Sequence, residues 1–142
     1  MREWLTMFNL ASVVLDPYTN ESSWILKTAA RILSSFRGAD VRVNFIVAAD
    51  KEGAKAFLGP LADEFLVFCD PDRIVIKQLE VHKLPAFVLV QMDGEVSAKA
   101  EGWNSSEWKA VAKEIASITV WSVPEIPASS DPAAFSGTPA VA

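Results

Sequence analysis

Short apolar runs rich in β-branched residues alternate with amphipathic helical stretches along the first half of the chain. The runs at residues 10–16, 41–49 and 65–70 are predicted to be strands, and helices are predicted between them at about residues 21–36 and 51–58. Parallel neighbours in a sheet need a crossover of a dozen or more residues, usually a helix. The alternation therefore predicts an α/β protein whose sheet is largely parallel and covered on both faces.

The next stretch predicts an antiparallel addition to this sheet. An apolar strand at residues 86–91 starts directly after Pro85, and a returning strand follows at residues 96–101. Asp93-Gly94 lies between them, and this dipeptide is a strong short-range signal for a tight hairpin. The sheet is therefore expected to be mixed, within a three-layer α/β/α sandwich.

The helix ends are predicted from capping residues. Asn20 is the predicted N-cap of the first helix, and Pro71 is placed in the first turn of a helix over residues 71–81. Asn104, with Glu107 three residues later, resembles a capping box before the last helix. Both long helices carry apolar stripes that must bury against the sheet. The stripes are Ile25, Leu26, Ala29, Ile32, Leu33 and Phe36 in the first helix, and Trp108, Val111, Ala112, Ile115 and Ile118 in the last.

The composition changes after Thr119, where Pro, Ala and Ser dominate. We therefore divide the chain into a domain at residues 1–118 and an extended C-terminal tail at residues 119–142. Such a tail is either a disordered linker or an ordered arm. Apolar residues within it, such as Phe135, favour an arm that packs on its own chain or across a homodimer.

Length and charge narrow the class of protein. A chain of 142 residues suits one domain with one core. Its net charge of −5, without a basic stripe, argues against nucleic acid as a partner, because phosphates have to be neutralised. No apolar run reaches the length of a membrane span, and the N-terminal residues lack a clean leader pattern. We expect a cytoplasmic protein that does not enter membranes.

Cys69 and His82 are the single cysteine and the single histidine of the chain. One cysteine excludes an internal disulfide, and the pair together cannot form a conventional Cys/His zinc cluster. We therefore expect neither a structural metal nor a cofactor.

The run CDPDRIVIKQLEVHKLPAFVLVQMDGEVSAKAEGW at residues 69–103 carries a family resemblance. An Asp-rich turn, a helix, the Leu84-Pro85 pair, an apolar strand, an Asp-Gly hairpin and the later Gly102 follow in this order. The pattern resembles the thioredoxin-like fold superfamily, in its TlpA-like and AhpC/TSA-like branch, over roughly residues 8–118. The resemblance implies a thioredoxin-like sandwich with a cis Leu84–Pro85 bond.

In that family, the turn between the first core strand and its helix carries a Cys-x-x-Cys motif or one reactive cysteine. Here the matching corner, residues 20–23, is Asn20, Glu21, Ser22 and Ser23. A thiolate at a helix N-terminus is the nucleophile of such a motif, and neither Ser nor Asn can cycle through a disulfide. Dithiol–disulfide exchange within this chain is therefore excluded.

The resemblance also implies a surface for binding. In the family this corner receives extended peptides, and the backbone beside the cis-proline pairs with them as an added strand. We therefore expect a non-catalytic binding or structural module with a protein or peptide partner. Its surface comprises residues 18–23, the turn from Val81 to Pro85 with His82 and Leu84, and Trp103.

Two enzymatic alternatives remain open. Cys69 is the candidate residue of a single-cysteine thiol oxidoreductase or peroxidase, although most free cysteines are buried small hydrophobes and Asp70 beside it disfavours a thiolate. Ser22 or Ser23 with His82 is a candidate hydrolytic pair, although no nucleophile-elbow glycines flank either serine. An anion at the first helix is disfavoured by Glu21 in its first turn.

Overall fold

The computed structural model describes residues 9–39, 41–91, 95–126, 128, 131–135 and 137–139. Its strands are β1 (Leu10–Leu15), β2 (Arg42–Val47), β3 (Leu66–Cys69), β4 (Lys83–Leu84), β5 (Ala86–Val90), β6 (Val96–Glu101) and β7 (Thr138–Pro139). Its helices are α1 (Asn20–Ser35), α2 (Lys51–Leu58), α3 (Leu61–Glu64), α4 (Ile74–Gln78) and α5 (Ser105–Thr119). Among the described residues, no helix is both long enough and apolar enough to span a membrane.

The main sheet has five strands in the order β3-β2-β1-β5-β6. β1 and β2 are parallel, with Val13 opposite Phe45, and β3 adds to β2 in the same direction. β5 is antiparallel to both β1 and β6. The predicted mixed sheet is confirmed. The Asp93-Gly94 turn lies outside the described residues, but the strands on either side of it form the antiparallel pair expected of a hairpin.

Helices cover both faces of the sheet, which confirms the three-layer sandwich. On one face, α1, α2 and α5 pack on alternate residues of β1 such as Val13 and Leu15. On the other face, α4 and the chain up to Leu84 pack on Leu10 and Val14. Both sets of side chains are buried away from water. The hydrophobic effect therefore stabilises the packing of the layers by about 25 cal/mol per Å² of buried apolar surface.

The predicted start of the helix after β3 is wrong. α4 begins at Ile74 and not at Pro71, and it is only five residues long. Its first turn is capped by the buried Asp70, whose carboxylate accepts from the backbone N–H groups of Ile74 and Ile76, both at 2.9 Å. Arg73, which directly precedes Ile74, takes a left-handed conformation with φ of 58°. A helix that started at Pro71 would end at this residue.

The last helix begins as predicted. The side-chain oxygen of Asn104 accepts from the backbone N–H groups of Ser106 at 3.0 Å and Glu107 at 3.2 Å. Its apolar stripe is shorter than predicted, because Ile118 is exposed while the four preceding members of the stripe are buried. The last turn of α5 is therefore only partly buried.

The described residues that follow α5 pack on the same chain. The indole N–H of Trp121 donates to the carbonyl of Ser35 at 2.7 Å, and Ile126 is buried in the core beneath α1. Further along, β7 pairs with β4 in a separate two-stranded sheet. The C-terminal tail thus returns to the edge of the domain next to Pro85.

Candidate functional site

The turn after β1, which leads into the predicted corner at residues 20–23, is closed by its own side chains. The carboxylate of Asp16 accepts from the N–H of Tyr18 at 3.0 Å, and the hydroxyl of Thr19 donates to the carbonyl of Asp16 at 2.9 Å. The N–H of Asp16 donates to the hydroxyl of Ser22 at 2.9 Å. These bonds hold a rigid turn at the N-terminus of α1.

An ion pair ties this turn to the chain beyond β3. A guanidinium nitrogen of Arg73 lies 2.7 Å from the carboxylate of Asp16, and the side chains are 21% and 7% exposed. The backbone of Arg73 is left-handed, with φ of 58°. This contact could not be foreseen from the sequence, because 57 residues separate the partners.

The predicted corner residues have different environments. Ser22 is fully buried, and its hydroxyl accepts from the N–H of Asp16. Ser23 is exposed, and the backbones of Asn20 and Glu21 form the first turn of α1. The burial of Ser22 gives it a structural part in the turn, so it does not support the hydrolytic pair with His82.

The N-cap of α1 is Thr19 and not Asn20, which is the first helical residue. The hydroxyl of Thr19 accepts from the N–H of Ser22 at 3.5 Å while the backbone of Thr19 is extended. Both residue types are good caps, and the choice between them depends on the geometry of the turn.

Thr19→Ala is expected to lower the free energy of unfolding by about 1 kcal/mol, because it removes the capping hydroxyl. Chemical denaturation monitored by far-UV circular dichroism measures this loss. Thr19→Ser retains the hydroxyl and should keep most of the stability. Equal stability of the alanine and serine variants would show that the hydroxyl does not cap the helix.

The second part of the site is β4, which directly precedes Pro85. The peptide bond between Leu84 and Pro85 is cis. Leu84 directs its side chain into the core and is fully buried, while His82 and Lys83 are exposed. The carboxylate of Glu101 accepts from the backbone N–H groups of both His82 and Lys83, the second at 2.8 Å. Glu101, which the sequence did not single out, therefore holds the backbone at the start of β4 in place.

An extended segment of the C-terminal tail already lies along β4. β7 pairs with β4 in the antiparallel direction, with Thr138 opposite Leu84 and Pro139 opposite Lys83. Upstream, Phe135 forms an antiparallel bridge with Trp103, through N–H to carbonyl bonds of 2.8 and 2.9 Å. We call the described residues 131–135 and 137–139 the tail segment.

Aromatic side chains flank this segment on both sides. The ring of Phe135 meets the ring of Trp24 edge-on at a centroid distance of 5.6 Å. The indole N–H of the buried Trp103 donates to the carbonyl of Pro132 at 2.7 Å. Trp24 directly follows Ser23 in the chain, so these contacts bring the tail segment over the predicted corner.

Asp131 fixes the start of the tail segment to α1. Its carboxylate, which is 1% exposed, lies 2.7 Å from a guanidinium nitrogen of Arg31 and accepts from the hydroxyl of Thr28 at 2.8 Å. The same carboxylate also accepts from the N–H of Ala128 at 2.7 Å. The sequence offered no signal for this anchor, which joins residues about a hundred positions apart.

Cys69 lies apart from this surface. It ends β3, and the register places it beside Val47, which in turn lies beside Leu15 at the end of β1. Two strand spacings, or about 10 Å, therefore separate the backbone of Cys69 from that of Leu15. Cys69 is half-buried and lines a cavity of about 320 Å³ together with Lys51 and Lys55 of α2.

No cluster of three or more metal-ligating side chains occurs among the residues that the structure describes. The candidate site consists of β4, the turn before α1, and the tail segment, which contacts both. It offers backbone hydrogen-bonding groups and aromatic surfaces. Its chemistry suits the binding of an extended chain.

Solved structures with similar folds were found. DsbF from MTB, solved in mixed oxidized and reduced forms, superposes with a TM-score of 0.64 at 17% identity, covering 82% of this chain and 85% of its own. Etrx1, an exposed lipoprotein thioredoxin of Streptococcus pneumoniae, gives 0.60 at 14% identity over 78% and 87%. A secreted Mycobacterium tuberculosis disulfide oxidoreductase homologous to E. coli DsbE gives 0.55 at 17% identity over 70% and 73%.

No protein-family model matches the chain, and no curated protein sequence does. At identities below one fifth, the structural likenesses establish the fold alone. The chain thus has a thioredoxin-like fold, as the resemblance implied, and its single cysteine separates it from any enzyme that works through two thiols of one chain.

Proposed function

We propose that this thioredoxin-like chain is a binding module without redox chemistry, which accepts an extended peptide strand along the backbone of β4. The observation that carries the proposal is the antiparallel pairing of β4 with Thr138 and Pro139. An edge that pairs with one extended segment offers the same backbone groups to another. Strand addition of this kind derives its affinity from main-chain hydrogen bonds and its specificity from side-chain contacts.

The surroundings of β4 support binding more than catalysis. Glu101 fixes the backbone of His82 and Lys83, so the edge is held in place before a peptide arrives. Preorganisation of this kind lowers the entropy that binding has to overcome. Trp24 provides aromatic surface beside the edge, and aromatic residues are frequent anchors of binding energy. Trp103 adds an indole N–H that donates to the carbonyl of Pro132.

The proposal needs no thiol. The neighbouring structures include disulfide oxidoreductases, but cycling between a dithiol and a disulfide within one chain needs two cysteines, and this chain has one. Cys69 lies two strands away from the end of β1. We therefore place the partner on β4 and give Cys69 no part in holding it.

A synthetic peptide with the sequence of residues 131–139 tests the proposal on the full-length chain carrying Gly137→Ala. A Cβ atom at position 137 would lie 2.6 Å from the carbonyl oxygen of Leu84, so the substitution displaces the chain's own segment and opens β4. We expect saturable binding of the labelled peptide, measured by fluorescence anisotropy. Adding Trp24→Ala should weaken binding about 2- to 13-fold, because an aromatic pair contributes about 0.5–1.5 kcal/mol beyond its buried area.

Cys69→Ser in the same opened chain is the matched control, and it should leave the affinity unchanged. A peptide of the same composition in scrambled order should bind weakly. The proposal fails when the opened chain shows no saturable binding at millimolar peptide, or when Cys69→Ser abolishes binding.

A further inference from the structure

The tail segment occupies the edge that the proposed function assigns to a partner. It touches the site on both sides, through Trp24 of α1 and through the backbone of Trp103 and Leu84. We propose that the tail segment is an intramolecular ligand that closes this edge, and that the partner which displaces it is an extended peptide with an aromatic residue two positions before a glycine. This inference rests on the proposed function and adds the regulation and the partner class of the same site.

The aromatic position of the partner is set by the surroundings of Phe135. Its backbone is held at both its N–H and its carbonyl by Trp103, at 2.9 and 2.8 Å. These two hydrogen bonds fix the direction in which the side chain leaves the strand, and the ring of Phe135 then meets the ring of Trp24 edge-on. Trp24 is 56% exposed even with the tail segment in place, so it has surface to offer to a larger aromatic residue.

The glycine position is set by the close approach of two backbones. At Gly137 a Cβ atom would lie 2.6 Å from the carbonyl oxygen of Leu84 and 3.0 Å from the Cα of Gly102. Both contacts are with backbone atoms, which cannot move aside as a flexible side chain can. Gly137 also has φ of 87°, a conformation that other L residues rarely adopt. A peptide that follows this path along β4 therefore needs glycine here.

The tail segment leaves part of the site unfilled. A cleft of about 530 Å³ remains beside it, lined by Lys83, Glu101, Asn104 and the small side chain of Ala134 among others. A partner with a larger side chain at the position of Ala134 would bury surface that the tail segment leaves in water. The structure therefore offers an external peptide contacts that the chain's own segment does not make.

The covalent connection compensates for this incomplete fit. A tethered segment competes at an effective concentration on the order of millimolar, whereas an external peptide competes at its actual concentration. The apparent affinity for the peptide falls by the fraction of chains whose edge is open. Even a segment of modest intrinsic affinity thus keeps the edge closed until a better-fitting partner is present.

A reversible lock tests the inference on the full-length protein. Lys83→Cys and Pro139→Cys, in a chain with Cys69→Ser, place two cysteines at directly opposed positions of β4 and β7. Opposed Cα atoms of antiparallel strands lie about 4.5–5.5 Å apart, within the range that a disulfide spans. We expect the oxidised chain not to bind the peptide of residues 131–139, and the reduced chain to bind it. Equal binding in both states overturns the inference, and so does a disulfide that forms only between two chains.

Glycine variants provide the second measurement. The opened Gly137→Ala chain should bind the peptide at least about tenfold more tightly than the unaltered chain, as expected when nine in ten edges are closed. Gly59→Ala is the matched control, because Gly59 also has a positive φ of 58° but a Cβ atom there meets nothing within 4 Å. It should bind like the unaltered chain. Equal affinity of the unaltered and Gly137→Ala chains refutes the closure while leaving the proposed function intact.

Altered peptides test the partner class on the Gly137→Ala chain. Alanine in place of Phe135, and separately in place of Gly137, should each weaken the peptide at least about tenfold, because each removes one of the two features that fix its path. Unchanged affinity for either peptide overturns the aromatic-x-glycine assignment. Absence of binding by every peptide to the opened chain instead contradicts the proposed function itself.

Discussion

Trp108→Ala is expected to lower the free energy of unfolding by about 3–5 kcal/mol, the range for truncating a large buried aromatic residue. Trp108 is fully buried and lies 5.1 Å from the ring of Phe87 and 5.2 Å from that of Trp103. Its indole N–H donates to the carbonyl of Gly102 at 2.8 Å. Equilibrium unfolding in urea, monitored by circular dichroism, measures the loss.

Two further variants separate the causes of this loss. Trp108→Phe keeps most of the packing but removes the donor to Gly102, and should cost about 1–3 kcal/mol. Tyr18→Ala truncates an aromatic residue that is 77% exposed, and should change the stability by no more than about 0.5 kcal/mol. If Trp108→Ala costs no more than Tyr18→Ala, then Trp108 does not hold α5 on the sheet.

The same residue connects the core to the proposed binding site. Through Gly102 and Trp103, Trp108 positions the backbone that holds Phe135 and lies against Gly137. The sequence indicated its burial, since it lies on the apolar stripe of the last helix. It gave no indication that the indole N–H fixes the loop after β6.

The fold was predictable because its main signals are local. Runs of β-branched residues such as residues 41–49, and helical stripes such as that of α1, carry a periodicity that neighbouring residues alone determine. The sheet buries all of β1 and the last four residues of β2, and most of these residues are apolar, so both strands are easily recognised. The capping signal of Asn104 is likewise complete within four residues.

Predictions failed where contacts made in the folded chain, whether within a turn or between distant residues, chose between locally equivalent options. Asn20 and Thr19 are both good caps, and the bond from Thr19 to the carbonyl of Asp16 selects Thr19. Pro71 suits a first helical turn, but Arg73 is drawn out of helical conformation near its ion pair with Asp16. Propensity alone could not rank these alternatives.

The site was less predictable than the fold, because its partners are far apart in the chain. The pairing of Leu84 with Thr138 and the contact of Trp24 with Phe135 follow no local period. The sequence named Leu84 as a binding residue. Its side chain is buried in the core, so the proposed function relies on its backbone, which pairs with Thr138. Phe135 was expected to pack on a surface of this chain or of a partner. A Pro- and Ala-rich composition does not indicate which surface that is.

Asp131→Ala is expected to release the tail segment without unfolding the domain. The buried carboxylate makes contacts of 2.7–2.8 Å with Arg31, Thr28 and the N–H of Ala128, and all three are lost. Removing one partner of a buried ion pair costs about 3–5 kcal/mol, and we expect about 2 kcal/mol here because the Arg31 side chain is 33% exposed. Amide hydrogen exchange at Phe135 should therefore accelerate about 30-fold, while the amide of Val13 in β1 keeps its protection.

Glu125→Ala is the matched control for charge, because Glu125 contacts Arg31 through its backbone carbonyl and not through its carboxylate. It removes one acidic group from the same tail and should leave exchange at Phe135 unchanged. Equal acceleration in both variants would mean that net charge, and not the contacts of Asp131, holds the tail segment down. Acceleration at Val13 as well would mean that the segment and the domain unfold together, and then β4 could not open while the rest of the fold persists.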